Sequence, residues 1–142
     1  MQRGDNTLLI TGGTRSIGRG RAERFHALGN RAIITARRQE LLDDMATAHS
    51  GMIRIRADLR DAQSRAALYA QLPTITPSVN LLINNAGFES LLPGSTDFAV
   101  SRDIIKTNIL SVLELRSRRA ASSGISAHGS CGCSRSATLP HE

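Results

Sequence analysis

The chain has 142 residues, of which 40% are hydrophobic and 3% aromatic, and its net charge is +6 at pH 7. This length allows one domain with one modest core. No apolar run is long enough to cross a membrane, and the polar start has no signal-peptide pattern. We therefore expect a cytoplasmic protein. The positive charge is not clustered and aromatic platforms for stacking bases are missing, so the composition argues against nucleic acid as a partner.

Apolar strands alternate with helical stretches through the first three quarters of the chain. The predicted strands are 7–10, 32–35, 52–57 and 79–83, and the predicted helices are 17–28, 39–49, 61–72 and about 97–119. Asp61 is the expected N-cap of the third helix, and Pro73 is expected to terminate it. This alternation predicts right-handed βαβ units around a parallel sheet, which is an α/β fold.

A glycine-rich turn, residues 11–18 with the sequence TGGTRSIG, lies between the first predicted strand and the first predicted helix. A helix start offers unpaired backbone N–H groups and the positive end of the helix dipole, which attract phosphate. Gly12 and Gly18 let the backbone approach the phosphates and let the helix pack closely on the strand. This order predicts a site for the pyrophosphate of a dinucleotide.

Three further segments follow predicted strands: residues 36–38, 58–59 and 84–87. Ligands of parallel sheets bind at the carboxyl ends of the strands, so these segments are expected to meet at one site. Taken alone, Asn84-Asn85-Ala86-Gly87 could be an ordinary turn and Asp58 a turn or capping residue. Their combination with the glycine turn favours a nucleotide site.

These pieces together resemble the short-chain dehydrogenase/reductase family, and residues 8–38 are similar to its DltE-like oxidoreductase branch. Asn108, within Lys106-Thr107-Asn108-Ile109, matches as well, whereas Ser16 departs from the glycine that the family usually has. The resemblance implies a Rossmann-like doubly wound parallel sheet, truncated after about four strands and the following long helix. The division expected is a partial NAD(P)-binding domain over 1–115 and a disordered tail, rich in Ser, Ala, Arg and Gly, over 116–142.

The resemblance also implies roles for the matching residues. The phosphates and the adenosine ribose would be lined by Gly12, Thr14, Arg15, Ser16, Ile17 and Gly18. Asp58 would accept a hydrogen bond from the adenine amino group with Leu59 against the ring, and the ribose side would be lined by Asn85, Ala86 and Gly87. The matching asparagine of the family holds a water in the proton relay, so Asn108 is assigned that position. A purely structural amide is the alternative for Asn108, which is predicted to share an apolar helix face with Ile105, Ile109, Val112 and Leu115.

The residues after the second strand predict the cofactor. Sites for NAD place an acid about 20 residues beyond the glycine turn, but this region reads Thr35-Ala36-Arg37-Arg38, with no acid before Glu40. Arg37 and Arg38 suit a 2′-phosphate through bidentate charge-assisted bonds, and Arg15 supports the same choice. We therefore predict NADP(H) rather than NAD(H); the alternative is that these arginines only cover the surface.

The family's chemistry is hydride transfer between a nicotinamide and a carbonyl or alcohol carbon, with a Tyr-x-x-x-Lys motif and a serine. The chain has one tyrosine, Tyr69, and one lysine, Lys106, so that motif cannot exist in it. No apolar strand precedes Ser122-Ser123, so the serine's role is not assigned there. We expect a truncated or frame-shifted dehydrogenase that is inactive by itself toward a small carbonyl or alcohol substrate.

Two other interpretations stay open: a non-catalytic NADP(H)-binding half-domain that pairs with an intact homologue, and a product without a stable fold. The family's habit of associating through the long helix makes a homo-oligomer an open expectation. The two cysteines cannot form a disulfide framework, and the spacing of His128, Cys131, Cys133 and His141 matches no common zinc pattern, so no metal is predicted.

Overall fold

The computed structural model describes residues 6–87 and 98–122. Its strands are β1 (Thr7–Thr11), β2 (Arg31–Ala36), β3 (Ile53–Arg56) and β4 (Leu81–Ile83). Its helices are α1 (Ser16–Ala27), α2 (Gln39–Ala48), α3 (Ala62–Ile75), α4 (Phe98–Ile105) and α5 (Ser111–Ser122), and a π-helical turn (Lys106–Leu110) joins the last two. The four strands form one parallel sheet in the order β3-β2-β1-β4.

Helices cover both faces of the sheet because successive side chains of each strand point to opposite faces. Leu8 and Ile10 of β1 belong to a buried cluster with residues of α1 and α2, including Ala22, Leu42 and Met45. Leu9 belongs to the opposite cluster, with residues of α3 and α5, including Leu68, Tyr69 and Leu115. The predicted Rossmann-like, doubly wound α/β fold is confirmed.

The strand register brings the carboxyl ends of the strands to one edge of the sheet. Thr11 of β1 lies opposite Thr35 of β2, and Ile10 lies opposite Ile83 of β4. The segments that follow these strands therefore meet at one edge, where parallel sheets bind their ligands.

The prediction that Pro73 terminates the third helix is wrong. Helix α3 begins after Asp61, whose side chain accepts from the Ser64 N–H as expected for an N-cap, but it continues to Ile75. Proline lacks one helical N–H. Near the end of the helix that loss is local, since the N–H of Thr76 still binds the carbonyl of Leu72 at 3.0 Å.

The predicted long helix is interrupted by the π-helical turn, which changes the face that is buried. A π turn contains one residue more per hydrogen-bonded ring than an α turn, so it rotates the helix that follows. The buried positions are Thr107, Ser111 and Leu115, whereas Ile105 and Ile109 are exposed. The predicted apolar face shared by Ile105, Asn108, Ile109, Val112 and Leu115 is therefore wrong.

Helix α5 ends at Ser122, so the first residues of the predicted tail, 116–122, are helical rather than disordered. Residues 1–5, 88–97 and 123–142 lie outside the described residues. The division at residue 115 stays a prediction. No helix in the described part of the chain combines the length and apolar character that a membrane span requires.

Candidate functional site

A cleft of about 240 Å³ opens at the carboxyl-end edge of the sheet. The segments after all four strands contribute to its wall, and the π-helical turn adds one residue. The lining residues are Gly12, Thr14, Arg15, Thr35, Ala36, Arg37, Arg38, Ala57, Asp58, Leu59, Arg60, Asn85, Ala86, Gly87 and Thr107.

The glycine turn packs so tightly that its glycines leave no room for side chains. Gly12 has a φ of +68°, and a Cβ there would lie 2.9 Å from the Cα of Ala86. A Cβ on Gly18 would overlap the carbonyl oxygen of Gly12 and the side-chain nitrogen of Asn85. The close approach of helix α1 to the strand ends, predicted from these glycines, is confirmed.

Thr11 and Asn85 hold the turns after β1 and β4 together. The Thr11 hydroxyl oxygen accepts from the N–H groups of Asn85 and Ala86, each at 3.0 Å. The side-chain amide of Asn85 donates in return to the carbonyl of Gly12 at 3.2 Å. This exchange fixes the floor of the cleft with bonds that need no ligand.

Helix α1 starts beside the cleft without a side-chain cap. Arg15 is the N-cap residue in an extended conformation with no capping side-chain bond, and the first turn holds no acidic residue. Ser16 follows with a φ of +45°, which is the left-handed region. The start of the helix therefore keeps its positive end available to an anion.

One wall of the cleft is strongly basic. Arg15, Arg37 and Arg38 line it, and none of the three guanidinium groups has an ion-pair partner within residues 6–87 and 98–122. A second cleft shares Arg37 and Arg38 with the first, and it is lined by Arg37, Arg38, Arg56, Ala57, Asp58, Arg60 and Ser64. The arginines give this end of the site a positive field that suits a phosphate.

Asp58 lines the cleft and is also bound by Arg60. Arg60 Nη2 donates to Asp58 Oδ2 at 2.7 Å, and Arg60 Nε lies 3.0 Å from Oδ1 and 3.2 Å from Oδ2. The hydrogen bonds from Arg60 hold the pKa of the Asp58 carboxyl below its usual value, although partial burial opposes this. The sequence carries no signal for Arg60, since an arginine two residues after an aspartate is not a recognisable pattern.

Two buried hydroxyls face no protein partner. The Oγ1 atoms of Thr35 and Thr107 have no hydrogen-bond partner in the described part of the structure, and both residues line the cleft. Buried polar groups are normally paired, so these two hydroxyls are exceptions beside the cleft. The glycine cradle and the basic wall fit a phosphorylated nucleotide.

The cleft brings together most, but not all, of the predicted site residues. Those that line it are Gly12, Thr14, Arg15, Arg37, Arg38, Asp58, Leu59, Asn85, Ala86 and Gly87. Ser16, Ile17 and Gly18 lie in the first turn of α1, next to that lining. Asn108 is exposed and is not among the lining residues. Its neighbour Thr107, which no sequence pattern predicts, lines the cleft.

Tyr69 and Lys106 occupy different elements, α3 and the π-helical turn. The Tyr69 hydroxyl donates to the Glu114 carboxylate at 3.4 Å, and neither residue is among those that line the cleft. Among the described residues, no group of three or more His, Cys, Asp or Glu could hold a metal ion. His128, Cys131, Cys133 and His141 lie outside those residues.

Comparison with known proteins identifies relatives for most of this chain. A family model described as short chain dehydrogenase matches residues 6–123. The uncharacterized oxidoreductase DltE of Bacillus subtilis (strain 168) is 32% identical over 118 residues, which are 81% of this chain and 47% of DltE. Sulfoacetaldehyde reductase 2 of Chromohalobacter salexigens is 36% identical over 108 residues, covering 72% of this chain and 42% of the reductase.

Solved structures also match most of this chain. The crystal structure of a putative betaketoacyl-ACP reductase is 31% identical with a TM-score of 0.76, covering 85% of this chain and 50% of that one. The Pseudomonas aeruginosa RhlG/NADP active-site complex is 28% identical with a TM-score of 0.73, covering 82% and 47%. The chain thus spans about half the length of the relatives that it matches.

Proposed function

The chain belongs to the short-chain dehydrogenase family, and we propose that it forms the NADP(H)-binding part of an oxidoreductase. The observation that supports this most strongly is the basic wall of the cleft. Arg15, Arg37 and Arg38 line it without ion-pair partners in the described part of the chain. Unpaired guanidinium groups on one wall suit a 2′-phosphate, which can accept bidentate charge-assisted bonds from them.

The lining of the cleft argues against NAD(H). An unphosphorylated ribose is usually recognised by a carboxylate that accepts from its 2′-hydroxyl. Among the described residues that line the cleft, Asp58 is the only carboxylate, and Arg60 already binds it. RhlG, one of the structural relatives, was solved as a complex with NADP.

In this proposal different residues bind different parts of the cofactor. The start of α1, with Gly12 and Gly18, holds the pyrophosphate, and Asp58 and Leu59 lie at the adenine. The ribose side is lined by Asn85, Ala86 and Gly87. Asn108 keeps the relay position that the family resemblance implies.

NADP(H), when bound, supplies or accepts a hydride, and we propose carbonyl/alcohol interconversion on a small substrate as the reaction of the complete enzyme. The 142-residue chain has no Tyr-x-x-x-Lys motif to supply a tuned proton donor. We therefore propose that this chain alone binds the cofactor without turnover, as a non-catalytic half-domain would. A cytoplasmic location and a homo-oligomeric state remain predictions.

Titration of the purified chain with NADPH and with NADH, followed by nicotinamide fluorescence, tests the proposal. We expect NADPH to bind at least about tenfold more tightly, the ratio that one charge-assisted contact provides. No oxidation of NADPH is expected with a panel of small carbonyl compounds. Equal affinities, or tighter NADH binding, would overturn the cofactor choice. A molten circular-dichroism and melting profile would instead support a product without a stable fold.

A further inference from the structure

Arg56, the last residue of β3, binds the segment that carries two arginines of the basic wall. Its Nε atom donates to the main-chain carbonyl oxygen of Arg37 at 3.2 Å. One residue earlier in that segment, the carbonyl oxygen of Ala36 accepts from the N–H of Ala57 at 3.0 Å. Residues of β3 and its end therefore bind two consecutive carbonyl groups where β2 ends, and the second of these bonds comes from a side chain.

The main chain of this segment determines where its two arginines begin. Arg37 lies in the bend between β2 and α2, and both Arg37 and Arg38 are exposed, so packing does not hold their side chains. Arg38 is the N-cap residue of α2, and it makes no side-chain capping hydrogen bond within the described part of the chain. The bond from Arg56 is thus a tie on main chain that enters α2 without a cap.

Arg56 is placed to act through the main chain rather than through an ion pair. It forms no ion pair within residues 6–87 and 98–122. It lines the second cleft beside Arg37 and Arg38, but it is not among the residues that line the first. A charged donor makes a stronger bond to a carbonyl than a neutral donor does, which suits a guanidinium to this tie.

We propose that Arg56 is a positioning residue for recognition of the 2′-phosphate. Through the Arg37 carbonyl it holds Arg37 and Arg38 at the cleft, and it thereby raises the preference for NADPH over NADH. This inference rests on the proposed function, in which those two arginines bind the 2′-phosphate. A segment that is already ordered costs less affinity when the phosphate binds, whereas NADH has no 2′-phosphate and does not need that order.

Two substitutions, R56Q and R56M, separate the hydrogen bond from the charge. Both remove the positive charge and keep the side-chain length up to the position of Nε, but only glutamine has an N–H donor there. The measure is the NADPH preference, which is the dissociation constant of NADH divided by that of NADPH, each obtained by nicotinamide fluorescence. We expect it to be about threefold higher in R56Q than in R56M, the effect of one exposed hydrogen bond.

R54M is the matched control on the same strand. Arg54 forms an ion pair with Asp43 of α2 and lines neither cleft. The substitution removes a positive charge and another contact between β3 and α2, but it leaves the Arg37 carbonyl bound. We expect R54M to keep the NADPH preference of the wild type, and we expect the affinity for NADH to change by less than about twofold in all three variants.

Three results would overturn this inference while the wild type still prefers NADPH. If R56Q and R56M both kept the wild-type preference, the bond would position nothing. If both lowered it equally, only the charge of Arg56 would matter. If R54M lowered it as much as R56M, any loosening of α2 would have the same effect. Equal affinities for the two cofactors in the wild type, or no saturable binding of NADPH, would instead overturn the proposed function and this inference with it.

Discussion

The guanidinium of Arg65 binds the carboxylate of Glu114 through two parallel bonds, Nε to Oε2 at 2.8 Å and Nη2 to Oε1 at 3.1 Å. This pair connects α3 to α5, and it keeps the pKa of Arg65 above its usual value. Arg65 Nη1 also donates to the carbonyl of Leu59 at 2.9 Å. The helix after the π-helical turn is thereby bound to the same loop that forms the proposed adenine wall.

Glu114→Gln should destabilise the chain by roughly 2–3 kcal/mol, because it leaves a buried guanidinium without its charged partner. The Arg65 side chain is only 6% exposed, but that of Glu114 is 42% exposed. Because water screens Glu114, we expect the loss of unfolding free energy to lie near the lower end of that range. Urea unfolding measures the change. Asp43→Asn is the control, since both side chains of the Arg54–Asp43 pair are 46% exposed; its cost should stay below about 1 kcal/mol. Equal effects of the two variants would contradict the prediction.

Gly18→Ala should prevent the turn after β1 from closing. A Cβ there would overlap the Gly12 carbonyl and the Asn85 side chain, neither of which can withdraw without opening the floor of the cleft. We expect a loss of roughly 3 kcal/mol in unfolding free energy, typical of severe overpacking, and a loss of NADPH binding.

Gly20→Ala is the matched control for that variant in the same helix. In the described part of the chain, no heavy atom other than its chain neighbours and the backbone of its own helix lies within 4 Å of a Cβ at Gly20. Alanine should therefore stabilise α1 by about 0.5–1 kcal/mol through helix propensity alone. If Gly18→Ala were as well tolerated as Gly20→Ala, the turn would not pack as the structure has it.

The sequence predicted the fold and the floor of the cleft because those depend on local pattern. Alternating strands and helices determine the sheet, and the spacing of Gly12 and Gly18 implies a backbone approach that only glycine permits. The contacts of Arg60 and Thr107 depend instead on tertiary geometry. Arg60 meets Asp103 across 43 positions, and Thr107 reaches the cleft from a π-helical turn that helical periodicity does not reveal.

Arg38→Ala should weaken NADPH binding by about tenfold and change NADH binding by less than about twofold, because only the phosphate loses a charge-assisted contact. Arg31→Ala is the control: Arg31 begins the same strand, β2, is exposed, and lies opposite Thr7 at the far end of the sheet from the cleft. It removes the same charge and should leave both affinities unchanged. Parallel titrations that gave an equal loss for both cofactors would exclude a role for Arg38 in phosphate recognition.

The Asp58–Arg60 pair should make the stability difference between the wild type and R60A depend on pH. Arg60 lowers the pKa of Asp58 in the folded chain, so the pair contributes stability above the ordinary aspartate pKa of about 4. That contribution is lost as the pH falls through the lower, folded-state pKa. Urea unfolding between pH 7 and pH 3 should show a constant difference down to about pH 5 and a shrinking one below about pH 4. The stability difference between the wild type and R56A should not shrink at low pH in this way. A difference for R60A that did not change with pH would rule out the Asp58–Arg60 pair as the cause of that difference.

Ser16 adopts a backbone conformation that suits glycine, with a φ of +45° at the first residue of α1. A Cβ in the left-handed region costs roughly 1–2 kcal/mol, and the greater freedom of glycine in the unfolded chain offsets part of that gain. Ser16→Gly should therefore stabilise the chain by about 0.5–1 kcal/mol, which thermal unfolding can measure. Ser16→Ala keeps the Cβ and removes only the hydroxyl, so it should give no gain. A Ser16→Gly variant that melts no higher than Ser16→Ala would show that the turn holds no strain at this position.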